Sequence, residues 1–302
     1  MNKPSGKGIV FAASSYILWG IFPLYWKILA AVNSFHILAF RILFSLLLVA
    51  TILFVRKNFS WLSFYKDRRK ALLLTLASIS VTLSWGLFIW AVNAGYTLQT
   101  SLGYYINPLI SIIFGLFIFR EKLTILQWIS FSLAMAGVLI QTILSGSLPW
   151  ISLGLALSFG TYGLLKKTIQ MPALETLGVE CLIIAPLGLL LLFAPFTAVI
   201  LPGWRGIGYM AELPAVTFVI LAFSGAVTMV PLYLFSMGAR MLPLSTLGFL
   251  QFIAPTMSFL LAYFVFNEPF PWYNFIVFGC IWIAVILYII SINIASGEKT
   301  DQ

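Results

Sequence analysis

Two charged side chains lie inside long apolar stretches of the sequence. Arg41 stands about six residues, or about 9 Å of helix, from the nearer end of its apolar run, and Glu180 stands at a similar distance from the end of another. A charge in the interior of a bilayer costs about 3 kcal/mol on insertion scales, so each residue is a candidate for coupling or gating. Glu180 could carry a proton. In the structural alternative, Arg41 snorkels to the membrane surface and Glu180 pairs locally.

Aromatic and amide side chains inside the apolar runs could bind a ligand. Asn107 directly precedes Pro108, and Gln251 lies shortly before Pro255, so amides fall beside prolines that free backbone carbonyls. Aromatic walls with few amides suit small neutral or zwitterionic amphiphiles. Packing, or a belt at the membrane surface, is the alternative for the rings. The candidate substrate-binding residues are Trp19, Trp85, Trp90, Asn93, Tyr104, Asn107, Tyr162, Tyr233 and Gln251.

One stretch of the sequence is repeated later in the chain, and both copies end in a carboxylate. A Leu-Gly pair, a proline and a glutamate recur in the same order, and Pro108 is as far from Pro255 as Glu121 is from Glu268. The prolines predict helix breaks. The helix dipole disfavours an anion at a helix C-terminus, so we expect each glutamate to cap another element or to act as a gate.

The composition places these motifs in a membrane. Of the 302 residues, 62% are hydrophobic and only 8% are charged, whereas soluble domains have about 25% charged residues. The net charge of +9 is explained by basic residues that flank membrane spans, and no nucleic-acid partner is expected. Apolar runs long enough to span a bilayer cover roughly residues 8–27, 35–55, 71–91, 99–119, 125–144, 149–166, 176–196, 214–237, 245–266 and 271–293.

The basic residues orient these spans. With a cytoplasmic N-terminus, all of the 17 Lys and Arg residues except Lys27, Arg41 and Arg205 lie on the inner side, as the positive-inside rule requires. Both termini are therefore predicted to be cytoplasmic. Each half has an odd number of spans, so the second half enters the membrane from the opposite face. The prediction is an all-α polytopic membrane protein with ten transmembrane helices in two inverted five-helix repeats, residues 1–145 and 146–302, a pattern typical of alternating-access transporters.

One connection between spans is unusually basic. The segment from Arg56 to Lys70 mixes six basic residues with four aromatic ones. This composition suits a segment that lies on the inner headgroup layer. We favour such a membrane-surface loop over a binding site for a protein partner.

The sequence does not favour catalysis. His36 is the sole histidine, and the sequence has no HExxH motif and no Asp-rich pair. No cofactor or metal is expected, and without an ATP-binding loop the driving force must be a gradient or a partner. A receptor or scaffold is a third possibility, but it leaves the repeated pattern unexplained. The expected partners are a small-molecule substrate and membrane lipid, and a monomer is favoured over an obligate oligomer.

Several motifs spread over nearly the whole chain form a set. They are Trp19-Gly20, Ala91-Val92-Asn93, SLGYYINPL at 101–109, GSLPW at 146–150, LSFGTYGLLKK at 157–167, the stretch 180–186 and LGFLQFIAPT at 247–256. Together they resemble the RarD-type branch of the drug/metabolite transporter superfamily, whose members consist of EamA domains.

This resemblance implies two EamA domains of five helices each. It also implies secondary transport of small metabolites or drugs, such as amino acids or chloramphenicol-like compounds, with a family label linked to chloramphenicol. We expect an exporter in the bacterial cytoplasmic (inner) membrane. An importer and an uncoupled facilitator remain open.

Overall fold

The structure is a computed structural model that describes residues 5–93, 96–144, 150–193, 213–267 and 272–297. Within these ranges the chain forms eleven α-helices and one 3-10 helix, with no strand. The 3-10 helix is Ser60–Lys66. The α-helices are α1 Gly6–Ile28, α2 Ser34–Val55, α3 Arg68–Asn93, α4 Thr97–Phe117, α5 Ile125–Leu144, α6 Trp150–Thr168, α7 Ala173–Phe193, α8 Ala215–Met241, α9 Leu244–Gln251, α10 Ile253–Phe264 and α11 Tyr273–Gly297.

Local side-chain caps set where several helices begin. The Asn33 side chain accepts a hydrogen bond from the Phe35 backbone N–H at 2.9 Å at the start of α2. At the start of α5, Thr124 and Gln127 form a reciprocal capping box, with side-chain to backbone distances of 3.0 and 3.3 Å. These bonds satisfy N–H groups that the first turn of a helix leaves without an intrahelical partner.

The helices define a multi-pass membrane protein. In the described ranges, eight stretches are long and apolar enough to cross a membrane, and one of them is formed by α9 and α10 together. A further apolar stretch, Leu102–Phe117, lies within α4.

The structure corrects the predicted helix breaks. Pro108 lies inside α4, which is continuous from Thr97 to Phe117. The second break is real, but it falls at Phe252 between α9 and α10, and Pro255 sits in the first turn of α10. A proline is tolerated there because the first-turn N–H groups have no helical acceptor.

The two copies of the repeated stretch end with the same backbone geometry. Arg120 and Asn267 both adopt left-handed conformations, with φ of 52° and 53°. Just before them, the Phe119 N–H donates to the carbonyl of Phe114 at 3.4 Å, and the Phe266 N–H donates to the carbonyl of Leu261 at 3.0 Å. The repeat in the sequence is therefore also a repeat in how the backbone leaves the helix. Glu268 lies outside the described residues.

The helices form two compact units that do not coincide with the two halves of the sequence. The first unit contains residues 1–22, 83–168 and 234–302, and the second contains residues 23–82 and 169–233. Each unit therefore combines segments from both halves. The helices α1, α3 and α8 contribute residues to both units.

In the first unit, α4 is the central helix, and small residues bring its neighbours close. A Cβ atom added at Gly103 of α4 would lie 3.1 Å from Cβ of Leu155 in α6. The helix α9 also packs against α4, and a Cβ atom added at Gly248 of α9 would lie 2.7 Å from the carbonyl oxygen of Pro108 in α4. In lipid there is no hydrophobic driving force between helices, so close packing of their backbones holds them together.

In the second unit, α2 packs against α7. A Cβ atom at Gly188 of α7 would lie 3.0 Å from the Ile42 side chain, and one at Gly178 would lie 3.3 Å from Val49 and 3.2 Å from Trp61. Trp61 belongs to the 3-10 helix and is buried. The basic connection between α2 and α3 is therefore attached to the helical core through this ring.

The α4 and α9 contact generates a stability prediction. We expect Gly248→Ala to lower the free energy of unfolding by about 1–3 kcal/mol, because the new methyl group must displace backbone and not a flexible side chain. The apparent melting temperature of the detergent-solubilised protein measures the loss. The matched control is Gly86→Ala in α3, where an added Cβ meets no atom within 4 Å and should be neutral or stabilising. Equal melting temperatures for the two variants would contradict the close contact.

Candidate functional site

The first unit holds a cluster of aromatic rings around Trp19. The Trp19 ring centroid lies 5.5 Å from those of Phe159 and Phe235 and 5.7 Å from that of Tyr16. Tyr162 stacks on Phe235 at 5.8 Å and is fully buried. Helices α1, α6 and α8 contribute these rings. The structure thus brings together two of the predicted aromatic residues, and it adds three that the sequence reasoning missed.

Two buried amides lie on the contact between α4 and α9. Ser111 Oγ donates to Gln251 Oε1 at 3.3 Å, and Asn107 stands one helical turn before Ser111 on the same face of α4. Gln251 is the last residue of α9, next to the break at Phe252. The predicted pair of amides therefore shares one region of the first unit.

Asn107 has an unused acceptor. Only 5% of the residue is exposed, and its side-chain oxygen Oδ1 makes no hydrogen bond. A buried polar atom without a partner costs about 1–3 kcal/mol, so such an atom in a native fold calls for an explanation. A substrate donor or a water molecule can satisfy it. The aromatic cluster lies close by, because α6 packs its Gly160 against Ile110, less than one turn from Asn107 along α4.

Other predicted ligands of the first unit lie in separate ring pairs. Trp90 is half-exposed and contacts Tyr96 at 5.8 Å and Trp150 at 5.7 Å. Tyr104 is half-exposed and contacts Phe88 at 5.9 Å. Trp85 is a partly buried residue of α3, and Asn93 is the last residue of that helix. The predicted binding residues of the first unit thus fall into several groups.

Glu121 caps a helix that begins more than 120 residues later in the chain. Its carboxylate accepts hydrogen bonds from the backbone N–H of Leu244 at 2.7 Å, the backbone N–H of Ser245 at 2.9 Å and the Ser245 hydroxyl at 2.7 Å. Pro243, the N-cap residue of α9, provides no side-chain cap of its own. An anion is stabilised at this position by the unpaired N–H groups and the positive end of the helix dipole.

A lysine and a glycine complete this arrangement. The Lys167 ammonium lies 3.9 Å from the Glu121 carboxylate and also donates to the carbonyl of Leu242. A Cβ atom at Gly115 would lie 2.6 Å from Glu121 Oε2, so only glycine leaves room for the carboxylate. We call the contact of Glu121 and Lys167 with residues 242–245 the α9 clasp. It joins the end of α4, the end of α6 and the start of α9.

The second unit holds the two charged residues found inside apolar runs. Arg41 Nε donates to the Thr228 hydroxyl at 3.0 Å, and the guanidinium lies 4.9 Å from the Trp26 ring centroid. Glu180 on α7 is 3% exposed. Gly188 of α7 packs against Ile42, the neighbour of Arg41. Arg41 therefore lies near the level of Gly188, which is about 12 Å along α7 from Glu180. Tyr233 is a partly buried residue of α8 in the same unit.

No cluster of three or more His, Cys, Asp or Glu residues that could hold a metal occurs in the ranges that the structure describes. Cys181 is a buried thiol whose sulfur lies 3.7 Å from the sulfur of Met229. The titratable groups described here serve as helix caps, ion pairs and charges inside the second unit.

Comparisons with known proteins agree with this architecture. The sequence model of the EamA-like transporter family matches residues 6–143 and 148–290. The chain is 41% identical over 289 residues to "Uncharacterized transporter YojE" of Bacillus subtilis, covering 94% of each chain. It is 35% identical over 288 residues to "Protein RarD" of Escherichia coli K12, covering 95% of each. It is also 30% identical to "Chloramphenicol-sensitive protein RarD" of Pseudomonas aeruginosa, covering 94% of this chain and 93% of that one.

A solved crystal structure shares the fold. It superposes with a TM-score of 0.71 over 93% of this chain and 96% of its own, at 16% sequence identity. The chain therefore belongs to the EamA-like transporter family. Within that family it is a RarD-type member, so it is a membrane transporter and not an enzyme.

The α9 clasp can be tested by removing its carboxylate. We expect Glu121→Ala to destabilise the protein by about 3 kcal/mol, since three charge-assisted hydrogen bonds are lost and the first N–H groups of α9 are left unpaired. Hydrogen exchange of the peptide that contains Leu244 and Ser245 should accelerate. The control is Lys122→Ala, an exposed neighbour expected to change stability by less than about 0.5 kcal/mol. Unchanged exchange at Leu244 and Ser245 in Glu121→Ala would refute the cap.

Proposed function

We propose that this transporter moves small neutral or zwitterionic amphiphiles across the bacterial cytoplasmic membrane by alternating access. The observation that carries the proposal is the buried and unpaired Asn107 oxygen beside the hydrogen-bonded Ser111 and Gln251. A buried acceptor of this kind suits a substrate that offers one or two hydrogen-bond donors. It does not suit a highly charged phosphate, which needs several cations.

The aromatic cluster supports the same substrate class. Trp19, Phe159 and Phe235 present apolar ring surface about one turn from the level of Asn107. Binding sites for small amphiphiles combine such apolar walls with a few placed polar groups. One relative is named as chloramphenicol-sensitive. The first substrates to test are therefore chloramphenicol-like compounds and neutral amino acids.

The proposed mechanism uses two inverted repeats of five transmembrane helices, residues 1–145 and 146–302. It is supported by the two family matches and by the equal left-handed helix ends at Arg120 and Asn267. Inverted repeats exchange their conformations when the protein opens to the other side of the membrane. We infer ten spans, both termini in the cytoplasm and export as the physiological direction.

The α9 clasp is the proposed inner gate. Glu121 and Lys167 hold the ends of α4 and α6 against the start of α9. Opening on that side breaks the contact, and the unpaired N–H groups of α9 then meet water. Glu268, the counterpart of Glu121 in the second repeat, is proposed to act in the outer gate.

Flux through the purified protein in proteoliposomes tests the function. Proteoliposomes are loaded with unlabelled chloramphenicol or a neutral amino acid, and counterflow is measured as uptake of the same compound, radiolabelled, from the outside. Protein-dependent counterflow of at least one compound supports the carrier. Its absence across a broad panel of neutral and zwitterionic metabolites favours a non-transporting receptor or scaffold.

The amides of the proposed site have a specific prediction. We expect Asn107→Ala and Gln251→Ala each to lower counterflow by about tenfold, the loss of roughly one hydrogen bond to substrate, while the protein still inserts and folds. Gln141→Ala is the matched control, because Gln141 is another buried amide with an unpaired oxygen, on α5. Wild-type flux in both test variants removes these amides from the site.

Glu180 is the proposed coupling residue, and its neutral analogue separates coupled from uncoupled transport. We expect Glu180→Gln to retain substrate exchange and to lose the dependence of net flux on a pH gradient, because the amide cannot exchange a proton. Arg41→Gln, at the other candidate coupling residue of this unit, is measured in the same assay. An unchanged response of Glu180→Gln to the pH gradient rejects the proton role and favours a facilitator.

A further inference from the structure

The second unit has a partly open surface cavity, lined by both polar and apolar side chains, that the transport proposal does not use. It has a volume of about 440 Å³, within the range of small-molecule sites. Its wall is formed by the 3-10 helix, the start of α3 and the connection that leads into α7, and it includes Ser60, Lys66, Lys70 and Glu175. Because α2, α3 and α7 all begin or end here, the cavity lies at a membrane surface.

The two acidic residues of the wall already have partners. Asp67 Oδ1 accepts the backbone N–H of Lys70 at 3.1 Å, and this hydrogen bond holds the pKa of Asp67 below its usual value. Glu175 accepts hydrogen bonds from the Asn58 amide at 2.8 Å and from the Ser60 hydroxyl at 3.3 Å. Both carboxylates are therefore structural parts of the wall.

The two lysines of the wall are exposed and able to bind an anion. Lys66 has its side chain at the rim of the cavity. Lys70 lies 3.5 Å from Asp67 in an exposed pair, and such a pair contributes little to stability. An ammonium has three donors, so Lys70 can keep Asp67 and still bind a further oxygen. The cavity thus offers two cations to one ligand.

The residues around the cavity favour a membrane lipid as its ligand. Trp61 attaches the 3-10 helix to α7, whereas Phe59, Leu62 and Tyr65 on the same segment are exposed. Exposed aromatic and apolar side chains beside a row of Lys and Arg are typical of a segment at the level of the lipid headgroups. From 56 to 70 the chain has six basic residues and one acidic residue.

We propose that this cavity binds the phosphate-bearing headgroup of an anionic phospholipid, with the Lys66 and Lys70 ammonium groups on the phosphate. The exposed side chains of Leu62 and Tyr65 then contact the acyl region beside it. The site is separate from Asn107 and Gln251, which belong to the other unit. Its occupant is a lipid and not a transported substrate.

Native mass spectrometry of the delipidated full-length protein in detergent tests the site. Phosphatidylglycerol is titrated, and the apparent Kd of the first bound lipid is measured for the wild type and two double variants. We expect K66Q/K70Q to raise this Kd by about 25-fold, because each cation that is removed raises it by about fivefold. The matched control is R68Q/R69Q, which removes the same charge from the same segment at positions outside the cavity wall. It should change the Kd by less than about threefold.

Three other results would overturn the proposal. Equal weakening by both double variants means diffuse surface attraction and no discrete site. Equal affinity of the wild type for phosphatidylethanolamine means that anionic charge is not recognised. Displacement of the bound lipid by millimolar sn-glycerol 3-phosphate means that the cavity holds a free anion. Melting temperatures of both variants within a few degrees of the wild type establish that a changed Kd reports on binding and not on unfolding.

Discussion

The contact between α4 and α9 is the constraint on which much of the first unit depends. Lipid is as apolar as the side chains it meets, so helices in a membrane associate through close packing and polar bonds. Gly248 allows the α9 backbone to approach the Pro108 carbonyl, and Ser111 donates to Gln251 in the same contact. The two copies of the repeated stretch thus pack against each other directly. The predicted amides meet because their helices do.

The same contact explains the position of Glu121. A carboxylate at the end of α4 has no favourable interaction with its own helix, but α9 begins next to it with unpaired N–H groups. The Thr124 and Gln127 box already caps α5, so Glu121 is available for α9. A charge that looks costly in its own element stabilises the start of another. Lys167 adds a partner of opposite sign.

Burial separates the roles of the polar residues. Asn107 retains an unpaired acceptor inside the first unit, whereas the carboxylates of Asp67 and Glu175 are bound by neighbouring groups at the membrane surface. A ligand that donates a hydrogen bond to the Asn107 oxygen recovers the free energy that burial of this unpaired acceptor costs. The second arrangement builds a wall whose two lysines remain open to an anion. The proposed substrate-binding amides and the proposed lipid site therefore lie in different units.

The sequence by itself determined the class of protein, the helices and the repeat, because apolar length, charge placement and internal similarity are local properties of the chain. It also pointed to Asn107, Gln251 and Glu121 as unusual polar residues in apolar surroundings. Only the tertiary structure decided what those residues touch. The partners of Glu121 lie in α9, and Trp19 meets rings from α6 and α8, far apart in the chain. The continuity of α4 through Pro108 was likewise beyond the sequence, since packing from neighbouring helices decides whether a proline breaks a membrane helix.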